Sequence, residues 1–220
     1  MSYDYDMEAV EKAVAEAREK GQERGINFEQ SIDVAVNFRS KELDMSDSEN
    51  RINQEVVLPN PLVPPPKICA FGDGEFAENA EAAGVDRIVS KDDIPTIADD
   101  KKARKTLAKE FDFFVAVTEA MPLVGRYLGQ ALGPRGKMPR PYPPQADLEP
   151  VVEQYRRTVR IRMRNTPTFH TKVGHVKMSD REIAENVAAI LNFVQRKEIF
   201  QRVGSVLVKT TMGPPVEVPY

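Results

Sequence analysis

Arg160, Arg162 and Arg164 alternate with Val159, Ile161 and Met163. Period-two alternation describes a strand with one apolar face and one face carrying a row of guanidinium groups. Like charges along one strand face repel, so the pattern points to an anionic partner such as a phosphate backbone. The plain alternative is a strand face covered by acidic residues of a neighbouring element. The row lies in a window from Gln154 to Ser179 that contains no Asp or Glu. That window also holds Arg156, Arg157, Lys172, Lys177 and both histidines, His170 and His175.

Other groupings offer less. Phe71-Gly72-Asp73-Gly74-Glu75-Phe76-Ala77 has the outline of a dinucleotide loop between a strand and a helix. Asp73, Glu75 and Glu78 would crowd any pyrophosphate there, which favours a tight turn with acids at a helix start. Leu132-Gly133-Pro134-Arg135-Gly136-Lys137-Met138-Pro139 is basic and Gly/Pro-rich, but Met138 stands where a phosphate-binding loop needs Ser or Thr. It reads as a structural loop, with or without a nucleic-acid contact. His170 and His175 are five apart in a strand-bearing segment, no Cys/His cluster suits zinc, and no serine elbow is present. No metal, cofactor or catalytic group is expected. The closing Lys209-Thr210-Thr211-Met212-Gly213-Pro214-Pro215 combines hydroxyls, a thioether and a glycine. Such a surface can approach a ribose–phosphate backbone, although composition alone favours an ordinary strand-ending turn.

The elements that must hold these groups fall into two blocks. Met7, Val10, Ala13, Val14 and Ala17 give a helix from about Asp6 to Lys20, with Gly21 as its stop. Ile32, Val34, Val36 and Phe38 mark a half-buried strand, and Val56-Val57-Leu58 a short one. The prolines between Pro59 and Pro66 stiffen the chain and mark a boundary. Beyond it, Ile68–Phe71, Arg87–Val89 and Phe113–Val117 are apolar strands alternating with helices over Phe76–Ala83, Ile94–Glu110 and Leu123–Leu132. Uniformly apolar strands between helices predict a parallel sheet covered on both faces. A second proline cluster, Pro139 to Pro144, closes that block. Then come the arginine strand, a strand around Phe169–Met178, a helix opened by the capping box Ser179-Asp180-Arg181-Glu182, and a last strand over Ser205–Lys209.

The predicted architecture is an α+β outer domain, residues 1–64 and 150–220, with a Rossmann-like, three-layer α/β insert at 65–149. The chain is 41% hydrophobic and 30% charged with a net charge of −3, so its basic residues are segregated rather than abundant. It has no apolar run of about 18 residues and no secretion signal, so no membrane partner is expected. The single Cys69 excludes an internal disulfide and suits a reducing, cytoplasmic setting.

Thr210-Thr211-Met212-Gly213-Pro214 resembles the closing signature of the large-subunit ribosomal protein one family. Phe28-Glu29-Gln30-Ser31-Ile32-Asp33-Val34-Ala35-Val36 is similar to that family's first RNA-contacting strand. The Leu132–Pro139 loop and His170 with Gly174 agree in order and spacing, and Asn50-Arg51-Ile52-Asn53 looks like the archaeal form. The resemblance implies two hinged domains and no enzymatic activity. The implied partners are large-subunit rRNA at the lateral stalk, deacylated tRNA at the exit site and the leader of the protein's own mRNA. It places RNA contacts on Phe28, Ser31, Thr211, Met212 and Gly213. With the basic residues of the acid-free window and the neighbours of these positions, the expected RNA site is Phe28, Glu29, Ser31, Arg160, Arg162, Arg164, His170, Lys172, Thr210, Thr211, Met212 and Gly213, in a protein monomeric when free. Where bacterial members carry an acid and a lysine after the arginine strand, this chain has Arg164 and Asn165, which keeps the positive charge. The competing reading is a nucleotide-binding α/β protein using the Gly72–Gly74 loop.

Overall fold

Alternate burial along Ser31–Phe38 builds the strand on which the rest of the outer unit is assembled. The computed structural model describes residues 6–23, 25–39, 43–47 and 49–219. The first five residues assigned to the outer domain lie outside these, as do Ser40, Lys41 and Glu42 of the following loop. The chain forms two compact units, one of residues 1–64 and 157–220 and one of residues 65–156.

In the outer unit, β1 (Ser31–Phe38) runs antiparallel between β8 (Thr168–His175) and β9 (Val203–Thr210). The short β10 (Val216–Glu217) extends the sheet beyond β9. Ile32, Val34 and Val36 point inward, while Ser31, Asp33, Ala35 and Asn37 stay half-buried on the other face. Helices α1 (Met7–Gln22) and α7 (Asp180–Gln195) bury Val10, Val14 and Ala17, and Ile183, Val187, Ile190 and Leu191, in the same core. Each fully buried branched side chain contributes about 1.5–3 kcal/mol of transfer free energy. The capping box is formed: Ser179 accepts from the Glu182 amide and Glu182 from the Ser179 amide. Asn186 of α7, fully buried, donates to Val173 O at 2.8 Å and accepts from Asn60 N at 3.0 Å, fastening the start of the proline-rich segment. A separate antiparallel ribbon pairs β2 (Ile52–Val57) with β7 (Thr158–Met163).

The insert holds a parallel sheet in the order β4 (Arg87–Val89), β3 (Ile68–Phe71), β5 (Phe113–Val117), β6 (Arg140–Tyr142). β3 and β5 are buried at every residue. Helix α2 (Glu75–Ala82) packs with α6 (Glu149–Arg156), and α3 (Asp93–Asp99), α4 (Lys101–Glu110) and α5 (Met121–Leu132) pack with one another.

Four expectations change. The Ile94–Glu110 helix is two helices, broken at Asp100, whose extended backbone lets its carboxylate accept from Lys102 N. The second proline cluster contains β6, where Pro141 is tolerated because the strand is an edge. Residues 150–156 belong to the insert, because α6 buries Val152 and Tyr155 in its core and Tyr155 stacks on Phe113 at 4.6 Å. The return to the outer unit therefore falls at residue 157 instead of 150. Finally, α1 does not stop at Gly21. It continues to Gln22 with Gly21 buried inside its last turn.

Candidate nucleic-acid interface

The end of the outer sheet where β1 begins and β9 ends gathers most of the distinctive groups. Thr211 N donates to Ser31 O at 3.0 Å, and the Ser31 and Thr211 hydroxyls lie 3.0 Å apart. Gln30 extends the inward-facing even-numbered series of β1 and is 5% exposed. Its Oε1 accepts from Met212 N at 2.9 Å, while its Nε2 lies 3.5 Å from Gly21 O. Its own carbonyl accepts from Val176 N at 3.1 Å. The turn after β8 is tied to α1 by Arg18, which donates to Val176 O and Met178 O and pairs with Asp180 at 2.8 Å.

Among the described residues, the two most exposed large apolar side chains belong to this end: Phe28 at 55% and Met212 at 49%. Beside Phe28, Glu29 pairs with Lys177, and that hydrogen bond holds its carboxyl below the ordinary value. Lys177 N in turn donates to His175 Nδ1 at 3.2 Å, which makes His175 a buried acceptor. Burial, with Lys172 second, pushes the His175 pKa down.

Two of the expected contact residues are interior. Thr210 is 1% exposed, and its hydroxyl has no hydrogen-bond partner among the described residues. It is wedged between two glycines. A Cβ on Gly21 would lie 2.3 Å from Thr210 Oγ1, and one on Gly213 would lie 2.2 Å from the same oxygen. Thr210 and buried Gly213 therefore shape the turn from beneath, leaving Thr211 and Met212 on the surface. Gly21 is required for this close approach rather than for ending the helix.

The basic residues do not form one cluster with that turn. His170 is exposed opposite Ala35, four residues along β1 from Ser31, or about 13 Å at strand rise. Lys172 and Lys209 both sit across from Asp33, and Lys172 Nζ donates to Pro64 O at 3.2 Å. Burial raises the Asp33 pKa, with His170, Lys209 and Lys172 pulling it back. Arg160 and Arg162 lie in the separate β2–β7 ribbon, opposite Glu55 and Asn53. Arg160 is bound to Glu55 at 2.9 Å with both side chains largely covered, so it does not project as an open cation. Arg164 lies beyond the end of β7 and is exposed. The expected row of three is thus one ion pair, one half-buried arginine and one exposed arginine.

The insert's loops are occupied by structural bonds. A Cβ on Gly72 would lie 2.5 Å from Phe76, and Asp73 accepts from Lys91 N at 3.1 Å. Lys91 is itself bound to Glu119 at 2.7 Å. Asp73 and the Lys91–Glu119 ion pair thus follow the C-terminal ends of β3, β4 and β5, where a nucleotide phosphate would meet carboxylates and an already paired lysine. In the Gly133–Met138 loop, Lys137 donates to Phe111 O at 2.6 Å and Arg135 to Ala131 O at 2.8 Å. Cys69 is buried and its thiol is pushed up to about 12, out of reach of thiolate chemistry. Among the described residues no group of three His, Cys, Asp or Glu could hold a metal ion. None of their helices is long and apolar enough to cross a membrane.

Residues 13–214 match the sequence description of the ribosomal protein L1p/L10e family. The chain belongs to that family. A large ribosomal subunit protein uL1 of Methanothermococcus thermolithotrophicus is 46% identical over 97% of this chain and 99% of its own length. Proteins of the same name from Pyrococcus abyssi and Methanocaldococcus jannaschii are 44% and 42% identical, each over 97% of this chain. The family is non-enzymatic, and the chain is a ribosomal protein rather than an enzyme. Gln30 and Gly21 were not singled out in the sequence as site residues. The legible signal for Gln30 was parity, since it places a polar side chain on the apolar face of β1.

Proposed function

We propose that the chain binds large-subunit rRNA through the end of the outer sheet that carries Phe28, Glu29, Ser31, Thr211 and Met212. The observation that carries this reading is the exposure of Phe28 and Met212 beside a hydrogen-bonded pair of hydroxyls. Exposed apolar side chains next to small polar groups suit stacking on unpaired bases and reaching 2′-hydroxyls. His170, Lys172 and Arg164 supply attraction for phosphates without selecting sequence. Arg162 adds to that field from the ribbon, while Arg160, Thr210 and Gly213 act from within the fold.

As a ribosome-associated cytoplasmic protein at the lateral stalk, it assists release of deacylated tRNA from the exit site. It also represses its own translation by docking the same face on its mRNA leader. The two units move about a hinge where the chain crosses between them, and the free protein is a monomer. Met212→Asp places a carboxylate against phosphate and is expected to cost about 1–3 kcal/mol of binding. Filter binding to an rRNA stalk fragment measures it, and unchanged affinity would remove the turn from the site. Competition between that fragment and the mRNA leader tests the shared face; simultaneous binding would exclude repression by this route.

A further inference from the structure

We propose that Gln30 is a positioning residue of the RNA face, holding the Met212 backbone in its binding conformation without touching RNA. The inference rests on the rRNA-binding reading above. Three segments around that face meet at this one residue. Its side-chain oxygen takes the Met212 amide at 2.9 Å, its side-chain nitrogen faces the α1 carbonyl of Gly21, and its backbone carbonyl takes Val176 N from the turn carrying Lys177.

The chemistry of the side chain matters here. An amide offers one acceptor and a donor from one planar group, and both Gln30 partners need that polarity: an N–H on the Met212 side, a carbonyl on the Gly21 side. A carboxylate would satisfy Met212 and repel Gly21 O. A thioether of the same length would satisfy neither. Gln30 also sits between Glu29 and Ser31, which face outward, so the residue that fixes the turn is continuous with residues that meet the ligand. The charged and titratable groups on the segments that meet here are Glu29, Lys177 and His175, together with Arg18 of α1 and its partner Asp180, and wild type run in parallel subtracts their titration.

The test uses the full chain. In Gln30→Met, the Met212 amide should exchange with solvent about three- to tenfold faster, the loss of one hydrogen bond. Affinity for an rRNA stalk fragment should fall by a similar factor. The dependence of that affinity on salt should stay as in wild type, because no phosphate contact is removed. Gln30→Glu should bind weakly at pH 8 and recover toward wild type near pH 5.5, where a protonated carboxyl again both donates and accepts. This recovery also serves if Gln30→Met folds poorly. Unchanged exchange at Met212 in folded Gln30→Met overturns the positioning role, as does a Gln30→Glu variant whose binding ignores pH. Faster exchange with undiminished RNA affinity overturns the link to binding. If Met212→Asp is also silent, the failure lies in the RNA reading of the turn.

Discussion

Gly21→Ala is a one-methyl change that touches no proposed ligand, yet it probes the packing on which the proposed RNA face depends. In an open helix, replacing glycine by alanine stabilises by up to about 1 kcal/mol. At Gly21 the new methyl would lie 2.3 Å from Thr210 Oγ1, 2.9 Å from Cγ2 and 3.1 Å from Cβ. Ordinary contact needs about 3.5–4.0 Å, so something must give by roughly 1 Å. Rotating Thr210 exchanges one clashing group for another, and its backbone is held in the β9–β1 ladder, where it pairs with Ile32. Overpacking of this kind costs about 1–3 kcal/mol. The propensity gain offsets part of that, leaving a net loss of about 1 kcal/mol and a displaced Thr211–Met212 turn. Gly125→Ala in α5 is the control: nothing lies within 4 Å of its Cβ position, so it should stabilise by about 0.5–1 kcal/mol. Urea denaturation followed by far-UV circular dichroism reads both, and filter binding should show weaker RNA affinity for Gly21→Ala alone. A stabilised Gly21→Ala that binds RNA normally would refute the close approach and the support it gives the turn.

Thr210→Val should keep RNA affinity and leave stability equal or higher, since it retains the shape and removes an unbonded hydroxyl; a large loss of binding would return Thr210 to the ligand contacts. Arg160→Met removes the ion pair to the largely covered Glu55 and should lower stability more than RNA affinity, whereas Arg164→Gln should reduce the salt dependence of binding by up to one phosphate contact. The reverse ranking would show that Arg160 meets phosphate after all. Burial holds the His175 pKa below its free value of 6.5, so unfolding takes up protons. Its contribution is complete above pH 6.5 and is lost as pH falls below that value. Denaturation between pH 7 and 5 should therefore show a falling stability that His175→Asn flattens, and an equal slope in both proteins would exclude His175 as its source.

Periodicity made most of the fold readable. Ile32, Val34 and Val36 announced β1, the runs at Ile68–Phe71 and Phe113–Val117 announced buried parallel strands, and Ser179 with Glu182 announced α7. The errors arose where tertiary packing overrides local signals. Pro141 reads as a boundary, but an edge strand tolerates it because its missing N–H has no ladder partner to lose. Val152 and Tyr155 are spaced as one helical turn, but arginines and a polar stretch around them hid the helix. Gly21 looks like a helix stop, since sequence cannot show that Thr210 arrives against it from the far end of the chain. The arginine row was visible in the alternation of β7. The partner strand that supplies Glu55 lies more than a hundred residues away, so the ion pair was not visible. Likewise the proposed site residues from Phe28 to Ser31 and from Thr210 to Gly213 are brought together by the β1–β9 register and by hydrogen bonds across about 180 residues of sequence, which no local pattern shows.

Oxidative footprinting of the methionines tests the central claim most directly, because Met7, Met138 and Met212 are all exposed and lie in different parts of the chain. With a saturating rRNA stalk fragment, Met212 should be protected while Met7 continues to react at its free rate. Undiminished oxidation of Met212 in the complex, with protection elsewhere, would contradict an RNA interface at the end of the outer sheet.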